Sequence, residues 1–478
     1  MSEKSQLLSN FLWRFMERWG AKGITLIVSI ILARLLEPEA YGLLSLVTVI
    51  TALLQVFVDS GLGIALIQEK EIDDVDYSSV FWFNIVICIF LYLLMFFGAP
   101  LIAVFYNNTE LIPVIRVVSL VLIISGVKNV QQAYVSRNLM FKKFFFSTLG
   151  GTISAAIVGI LMAVQGFGVW ALVTQYLLNT LIDTIVLWIT VKWRPKFVFS
   201  FSRFKSLFSY GWKMLISSLI DTTYQELRSL IIGKFYSSND LAFYTKGSEY
   251  PKYAVSNIND AMNSVLLPVL SKRQDDKVAV KSASRRVIRL TSYVIWPLML
   301  GLCAVSDNFI IALLGEKWLP ASIYLKILCI GQAFQPIQTT NLSVIKALGR
   351  SDLHLKLEII KKSIAILIVI LSSIMNVTMI AVGSVVYAII ATIINCYPNK
   401  KLINYGYFEQ FFDLLPFIGI SAFMGVVVYL IGLIQMPVYL NLSIQVIVGG
   451  VVYFLISKLF KIDTLDECIN TVKVILNN

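Results

Sequence analysis

The chain has 478 residues, 58% of them hydrophobic and 14% charged, with a mean hydropathy of +0.79. Soluble folds carry nearer about 25% charged residues, so this composition excludes them and describes an all-α integral membrane protein. Its net charge of +12 is read by where the cations fall among apolar segments, and no nucleic-acid partner is expected.

Met1 to Asn10 lack a basic region followed by a short apolar stretch and a cleavage site, so insertion is expected to begin with the first helix. Apolar stretches then recur with short polar breaks. They predict about 14 membrane helices, near 9–36, 39–67, 79–105, 110–135, 144–165, 167–191, 206–235, 240–270, 287–313, 321–346, 355–375, 377–398, 412–434 and 438–460. The seventh and eighth are so polar that a hydropathy window alone could miss them.

Alternate connections collect the cations. One set holds Arg137, Lys142 and Lys143, then Lys192 to Lys205, then Lys272 to Arg289, then Arg350 and Lys356, then Lys400 and Lys401. The connections between these are short and nearly free of Lys and Arg. The positive-inside rule puts the basic set and both termini on the cytoplasmic side of the cytoplasmic (inner) membrane. The acidic stretch from Gln68 to Ser78 breaks the pattern, but acids weigh little in that rule.

Much chemistry is excluded. The five cysteines have neither disulfide-framework nor zinc spacing, and one histidine, His354, cannot build a metal site; no metal and no cofactor are expected. No phosphate-binding G-x-x-x-x-G-K-[ST] loop is present, and no connection is long enough to fold as a catalytic domain, so the chain is not expected to be an enzyme. Asp74-Val75-Asp76 has the form of a metal and nucleotide-sugar motif, yet its short connection reads as a solvated acidic loop.

A weak repeat divides the chain. Ala33-Arg34-Leu35-Leu36 has a counterpart in Gly233-Lys234-Phe235-Tyr236, and Gly20-Ala21-Lys22 in Gly211-Trp212-Lys213. Six helices separate the matches, an even number, so the halves are expected to be parallel repeats suited to rocking alternating access. The expected organisation is an N-terminal lobe at 1–200, a C-terminal lobe at 201–405, and two extra helices with a tail at 406–478.

Charges inside the apolar segments are the candidate site. Arg14, Arg18 and Lys22 lie one turn apart on the first helix with Glu17 beside them, and positions i, i+4 and i+8 spread over only about 80° of the helix. Lys213, Asp221 and Arg228 share one face of the seventh helix. Lys246, Glu249 and Lys252 step by three on the eighth, and Asp59, Lys128 and Asp183 add isolated charges. Each costs about 2.5–3.5 kcal/mol at mid-bilayer unless it meets a partner or water. Two readings follow. Arg14 with Glu17, Lys213 with Asp221 or Glu226, and Lys246 with Glu249 could pair to hold helices together. Alternatively, the surplus of cations lines a hydrated cavity for an anion, which Arg meets by its bidentate fork and Lys as a point charge. Trp13, Trp19, Trp212, Tyr224, Tyr250 and Tyr253 accompany the charges, as an interfacial belt or as surfaces for sugar rings.

The segments ARLLEPEAYGLLSLVTV at 33–49, FVDSGLGIALIQ at 57–68, RNLMFKKF at 137–144, GFGVWALVTQY at 166–176 and LLGEKWLPA at 313–321 resemble one family over nearly the full length. It is the polysaccharide transporter (Wzx-type flippase) branch of the multidrug/oligosaccharidyl-lipid/polysaccharide exporter superfamily. The resemblance implies two six-helix lobes around a central cavity plus two C-terminal helices. It also implies a polyprenyl-pyrophosphate-linked oligosaccharide as cargo, flipped across the membrane for cell-surface polysaccharide biosynthesis, with a polysaccharide polymerase and glycosyltransferases as further partners beside membrane lipids. On that basis Arg14, Arg18, Lys22, Lys128, Lys213, Arg228, Lys246 and Lys252 are the candidate substrate-binding cations, facing one another across the cavity. Glu17, Asp59, Asp221 and Glu249 are the candidates for ion coupling, and Pro251, Pro268 and Gly301 for bends. The rival functions are a multidrug/cation antiporter of the same superfamily, which favours surplus acids, and a non-transporting glycosyltransferase or scaffold.

Overall fold

Each apolar segment foreseen in the sequence is helical over its described residues, and three of them are interrupted, at Ser119, Val305 and Phe334. The computed structural model describes residues 3–467 except 60, 61 and 70, without the side chains of 3–12, 14, 15, 18, 19, 210, 261, 264 and 265. The helices are α1 (Glu3–Leu35), α2 (Pro38–Asp59), α3 (Leu62–Gln68), α4 (Asp74–Phe105), α5 (Leu111–Val118), α6 (Leu120–Arg137), α7 (Phe141–Val164), α8 (Val169–Thr190) and α9 (Phe201–Phe235). They continue as α10 (Ser238–Ser271), α11 (Lys277–Ala304), α12 (Ser306–Leu314), α13 (Ala321–Ala333), α14 (Gln335–Ala347), α15 (Ser351–Ser373), α16 (Val377–Ile403), α17 (Tyr407–Gly432) and α18 (Val438–Leu459), with a single 3₁₀ turn at Glu316–Trp318. No strand occurs among the described residues.

Nine segments of the described residues are long and apolar enough to cross a membrane: α2–α3, α4, α5–α6, α7, α8, α11, α16, α17 and α18. The chain is a multi-pass membrane protein. As the composition of the seventh and eighth segments foretold, α9 and α10 do not meet that measure. Pro251 and Pro268 lie within an unbroken α10, while α11 stops three residues after Gly301.

The chain divides into two compact units, 1–242 and 243–478. Helix α9 packs on α2, α3 and α4 and so belongs to the first. The repeat is visible in the pattern of elements. One residue in a bend and one unstructured residue separate α1 from α2, and the same two-residue step separates α9 from α10. The fourth segment breaks at Ser119 and the tenth at Phe334, where Pro336 occupies the first turn of α14 and needs no amide hydrogen.

In the first unit, α7 and α8 make the most extensive helix pair. Gly151, Ala155, Gly159 and Ala163 recur every fourth residue on α7 and are all buried, a small-residue stripe that lets two backbones approach. A Cβ on Gly151 would stand 2.6 Å from the Asn179 carbonyl oxygen of α8. Connections are fixed by polar side chains. Asp73 caps α4, accepting from the amides of Val75 and Asp76 while Asp76 accepts from its own amide. Asp74-Val75-Asp76 is therefore the capped first turn of α4 and not a loop, and Lys196 of the α8–α9 connection pairs with Asp74 while Arg203, in the first turn of α9, pairs with Asp73 and Asp76.

In the second unit, α17 is held by a buried amide lock. Asn341 on α14 and Gln410 on α17 exchange hydrogen bonds of 2.8 and 2.9 Å, and Asn399 on α16 donates to Asn341 at 2.6 Å. All three side chains are 0–1% exposed. Outside the lock, Arg285 on α11 pairs with Asp413 at 2.6 Å and Lys281 with Glu409 at 2.9 Å.

Candidate functional site

Polar groups inside the first unit sort into closed pairs and open charges. On α1, the side chains of Arg14 and Arg18 lie outside the described residues. Glu17 is buried toward α7, where Thr148 Oγ1 donates to its Oε1 at 3.4 Å. Lys22 is exposed. Trp13 rests edge-on against Phe145, with Lys142 Nζ 5.4 Å from its ring, so this aromatic is engaged by helix packing.

Lys128 and Asp183 are not isolated, as their spacing had implied. They form a 3.1 Å bridge between α6 and α8, 15% and 13% exposed. Beside them Asp59 of α2 is exposed, and its Oδ1 accepts from Gln55 at 3.2 Å and Asn129 at 3.3 Å. Asn129 in turn accepts from buried Asn84 at 3.3 Å. The carboxylate of Asp59 thus has amide donors and no ion pair among the described residues.

Helix α9 is seated at both ends and open between. Near its start Phe204 meets Phe83 of α4 at 4.4 Å; near its end Lys234 binds the Phe105 carbonyl and lies 4.1 Å from that ring. Between these seats Trp212, Lys213, Ser217, Ser218 and Asp221 are exposed, and Arg228 lies half-buried 5.8 Å from the Tyr224 ring. Among the described residues Lys213 has no ion-pair partner, so the proposed bridges to Asp221 or Glu226 are not formed.

In the second unit, α10 carries one closed and one open cation. Lys246 is buried and bonds Glu249 at 2.8 Å, the pairing that the i, i+3 spacing allowed. Lys252 is exposed, without an ion pair among the described residues. Tyr250 is buried edge-on against Phe309 at 5.1 Å. Sequence reasoning passed over three further groups in this unit: the Lys326–Asp307 bridge of 2.7 Å, the buried Lys361 with Glu358 at 2.6 Å, and the unpartnered amide of fully buried Asn395. The i, i+3 spacing of Glu358 and Lys361 was the available signal for one of them.

Of the eight cations named from the sequence, Lys128 and Lys246 are neutralised by direct pairs, Lys22, Lys213 and Lys252 are exposed, and Arg228 is half-buried. Among the described residues no group of three or more His, Cys, Asp or Glu side chains could hold a metal ion. The arrangement can bind an anion electrostatically.

Comparison with known proteins gives three kinds of match. A family profile described as "Polysaccharide biosynthesis protein" matches residues 31–323. The chain is 27% identical over 431 residues to the teichuronic acid biosynthesis protein TuaB of Bacillus subtilis, covering 86% of each chain. It is 25% identical over 447 residues to the lipopolysaccharide biosynthesis protein WzxC of Escherichia coli, covering 89% of each. Among solved structures, the lipid II flippase MurJ in an inward closed conformation superposes with a TM-score of 0.76 at 17% identity, covering 95% of this chain and 100% of that one. That likeness establishes a shared fold.

Proposed function

The chain belongs to the polysaccharide biosynthesis protein family, and from that premise we propose that it flips polyprenyl-pyrophosphate-linked oligosaccharide across the cytoplasmic membrane for cell-surface polysaccharide assembly. The names of TuaB, WzxC and MurJ support this cargo class. The observation that carries the reading is the exposed ammonium of Lys213, without an ion pair among the described residues, about a third of the way along a helix of membrane-spanning length, matched in the second unit by Lys252. A fixed cation there is stabilised by an anion that must leave water, as a pyrophosphate must. The two halves alternate access, both termini lie in the cytoplasm, and the protein catalyses no covalent step. Polymerase and glycosyltransferases act on the cargo before and after it.

Replacing Lys213 and Lys252 together with Gln tests the binding role. Transport of lipid-linked oligosaccharide into proteoliposomes is expected to fall about tenfold or more, equivalent to about 1.4 kcal/mol, with the melting temperature unchanged. Undiminished transport would overturn the assignment. For coupling, the candidate is Asp59, because Glu249 is already paired with Lys246 and Asp59 meets only amides. Asp59→Asn is expected to abolish the dependence of transport on an ion gradient while leaving cargo binding intact; a retained dependence sinks that role.

A further inference from the structure

A groove of about 930 Å³ opens on the second unit between α11, α17 and α18, apart from every residue assigned to the cargo. Its walls are membrane-spanning surface: Phe412, Pro416 and Phe423 on α17, Ile456 and Leu459 on α18. Phe412, Phe423 and Leu459 are 66%, 57% and 76% exposed, so the groove faces the acyl region of a bilayer. Such walls accept a hydrocarbon chain.

The mouth is different in kind. It lies along the first half of α11, near the start of α17 and just past the end of α18, and three cations rim it: Arg285, Arg289 and Lys461. Two acids line it with them, and Glu409, shared with Lys281, lies 3.9 Å from Arg285. Asp413 binds Arg285 at 2.6 Å and also accepts from the Tyr405 hydroxyl at 2.8 Å, which closes that pair. Asp463 reaches Arg289 only at 4.0 Å and is itself 86% exposed. Lys461 has no ion partner among the described residues. The rim therefore holds one uncompensated positive charge beside a loosely held guanidinium.

The backbone at Lys461 is the second sign. It stands at φ 50°, the left-handed position that ends α18, and the amide of Ile462 closes the turn on the Ser457 carbonyl at 3.0 Å. Gly is the residue that usually occupies such a position, because a Cβ there is strained by about 1 kcal/mol. Here a lysine accepts that strain and its ammonium is set at the groove mouth.

We propose that this groove is a binding site for an anionic glycerophospholipid, with an acyl chain along α17 and α18 and the headgroup phosphate at Arg289 and Lys461. One negative charge matches the one left over at the rim, and interfacial Lys and Arg draw anionic headgroups of this kind. The site is independent of the flippase reading: it needs only a membrane-spanning chain.

The test uses the full chain in detergent, with native mass spectrometry and thermal shift as readouts. Phosphatidylglycerol is expected to stay bound through purification and to raise the melting temperature, and phosphatidylcholine to do neither. The double variant Arg289→Gln, Lys461→Gly removes both headgroup cations while easing the left-handed backbone, so its fold is spared. It is expected to bind phosphatidylglycerol about tenfold more weakly. Equal stabilisation by both lipids, or undiminished binding by the double variant, overturns the proposal. So does polyprenyl phosphate displacing phosphatidylglycerol at equimolar concentration, which assigns the groove to the carrier lipid. Because the readout is lipid binding, a failure here leaves the transport assay on Lys213 and Lys252 unaffected, and the converse holds.

Discussion

Asp73 shows how one side chain joins capping, charge and pH. Its carboxylate accepts two amides at the start of α4 and is bound by Arg203, and this guanidinium holds its pKa below the ordinary carboxylate range. A depressed pKa adds stability that is fully present above the unfolded value of about 3.9 and is lost as pH falls through the folded value. Asn caps a helix about as well as Asp, so Asp73→Asn isolates the charge. Melting followed from about pH 6 to about pH 3 is expected to fall more steeply for the native chain than for the variant; parallel curves would deny Asp73 that contribution. The capping box was open to sequence reading, since Asp73 and Asp76 stand three apart before an apolar run. The partner was not: Arg203 lies far along the chain on a segment whose approach no local pattern encodes.

Between elements, the same boundary of legibility divides the charges. Lys246 and Glu249 sit on one helix, so their meeting follows from periodicity alone. Lys128 and Asp183 are on α6 and α8, and a sequence read helix by helix leaves them solitary. Removing one member of this part-buried pair strands the other, with the about 3–5 kcal/mol of a fully buried pair as the upper bound, whereas replacing both by apolar groups of similar size is often neutral. Lys128→Met and Asp183→Leu are each expected to lower thermal stability sharply, and the double variant to recover most of the loss. Should the double variant be as unstable as either single one, the bridge is not what joins those helices. If it is stable but inactive in transport, the pair acts on cargo as well. The stripe from Gly151 to Ala163 was equally silent: small residues four apart advertise close approach, but not that α8 is the helix approached.

Across the whole molecule, helix placement was the most legible property. Hydropathy and charge alternation located every segment, although α11 begins at Lys277, ten residues before the expected 287, because its first turns are basic; the echo of residues 33–36 at 233–236 corresponds to the same two-residue step before α2 and α10. The one-residue interruptions at Ser119, Val305 and Phe334 were hidden, because an interrupted helix and a continuous one have the same hydropathy. The resembling segments turn out to mark turns and core: Gly166, Gly168 and Gly315 have positive φ, and Trp318 is fully buried. Which open charges bind cargo was only partly legible, since surplus charge could be counted but its pairing could not.

The exchange of hydrogen bonds among Asn341, Gln410 and Asn399 bears on how the last two helices could ever be dispensed with. A chain ending before Tyr407 strips the buried Asn341 amide of both its bonds to Gln410 and leaves Asn399 to hold it alone, an interior loss that water replaces poorly. The terminal pair is thus a keystone of the unit that carries it, and a shorter ancestor or engineered miniature of this chain needs apolar residues at 341 and 399.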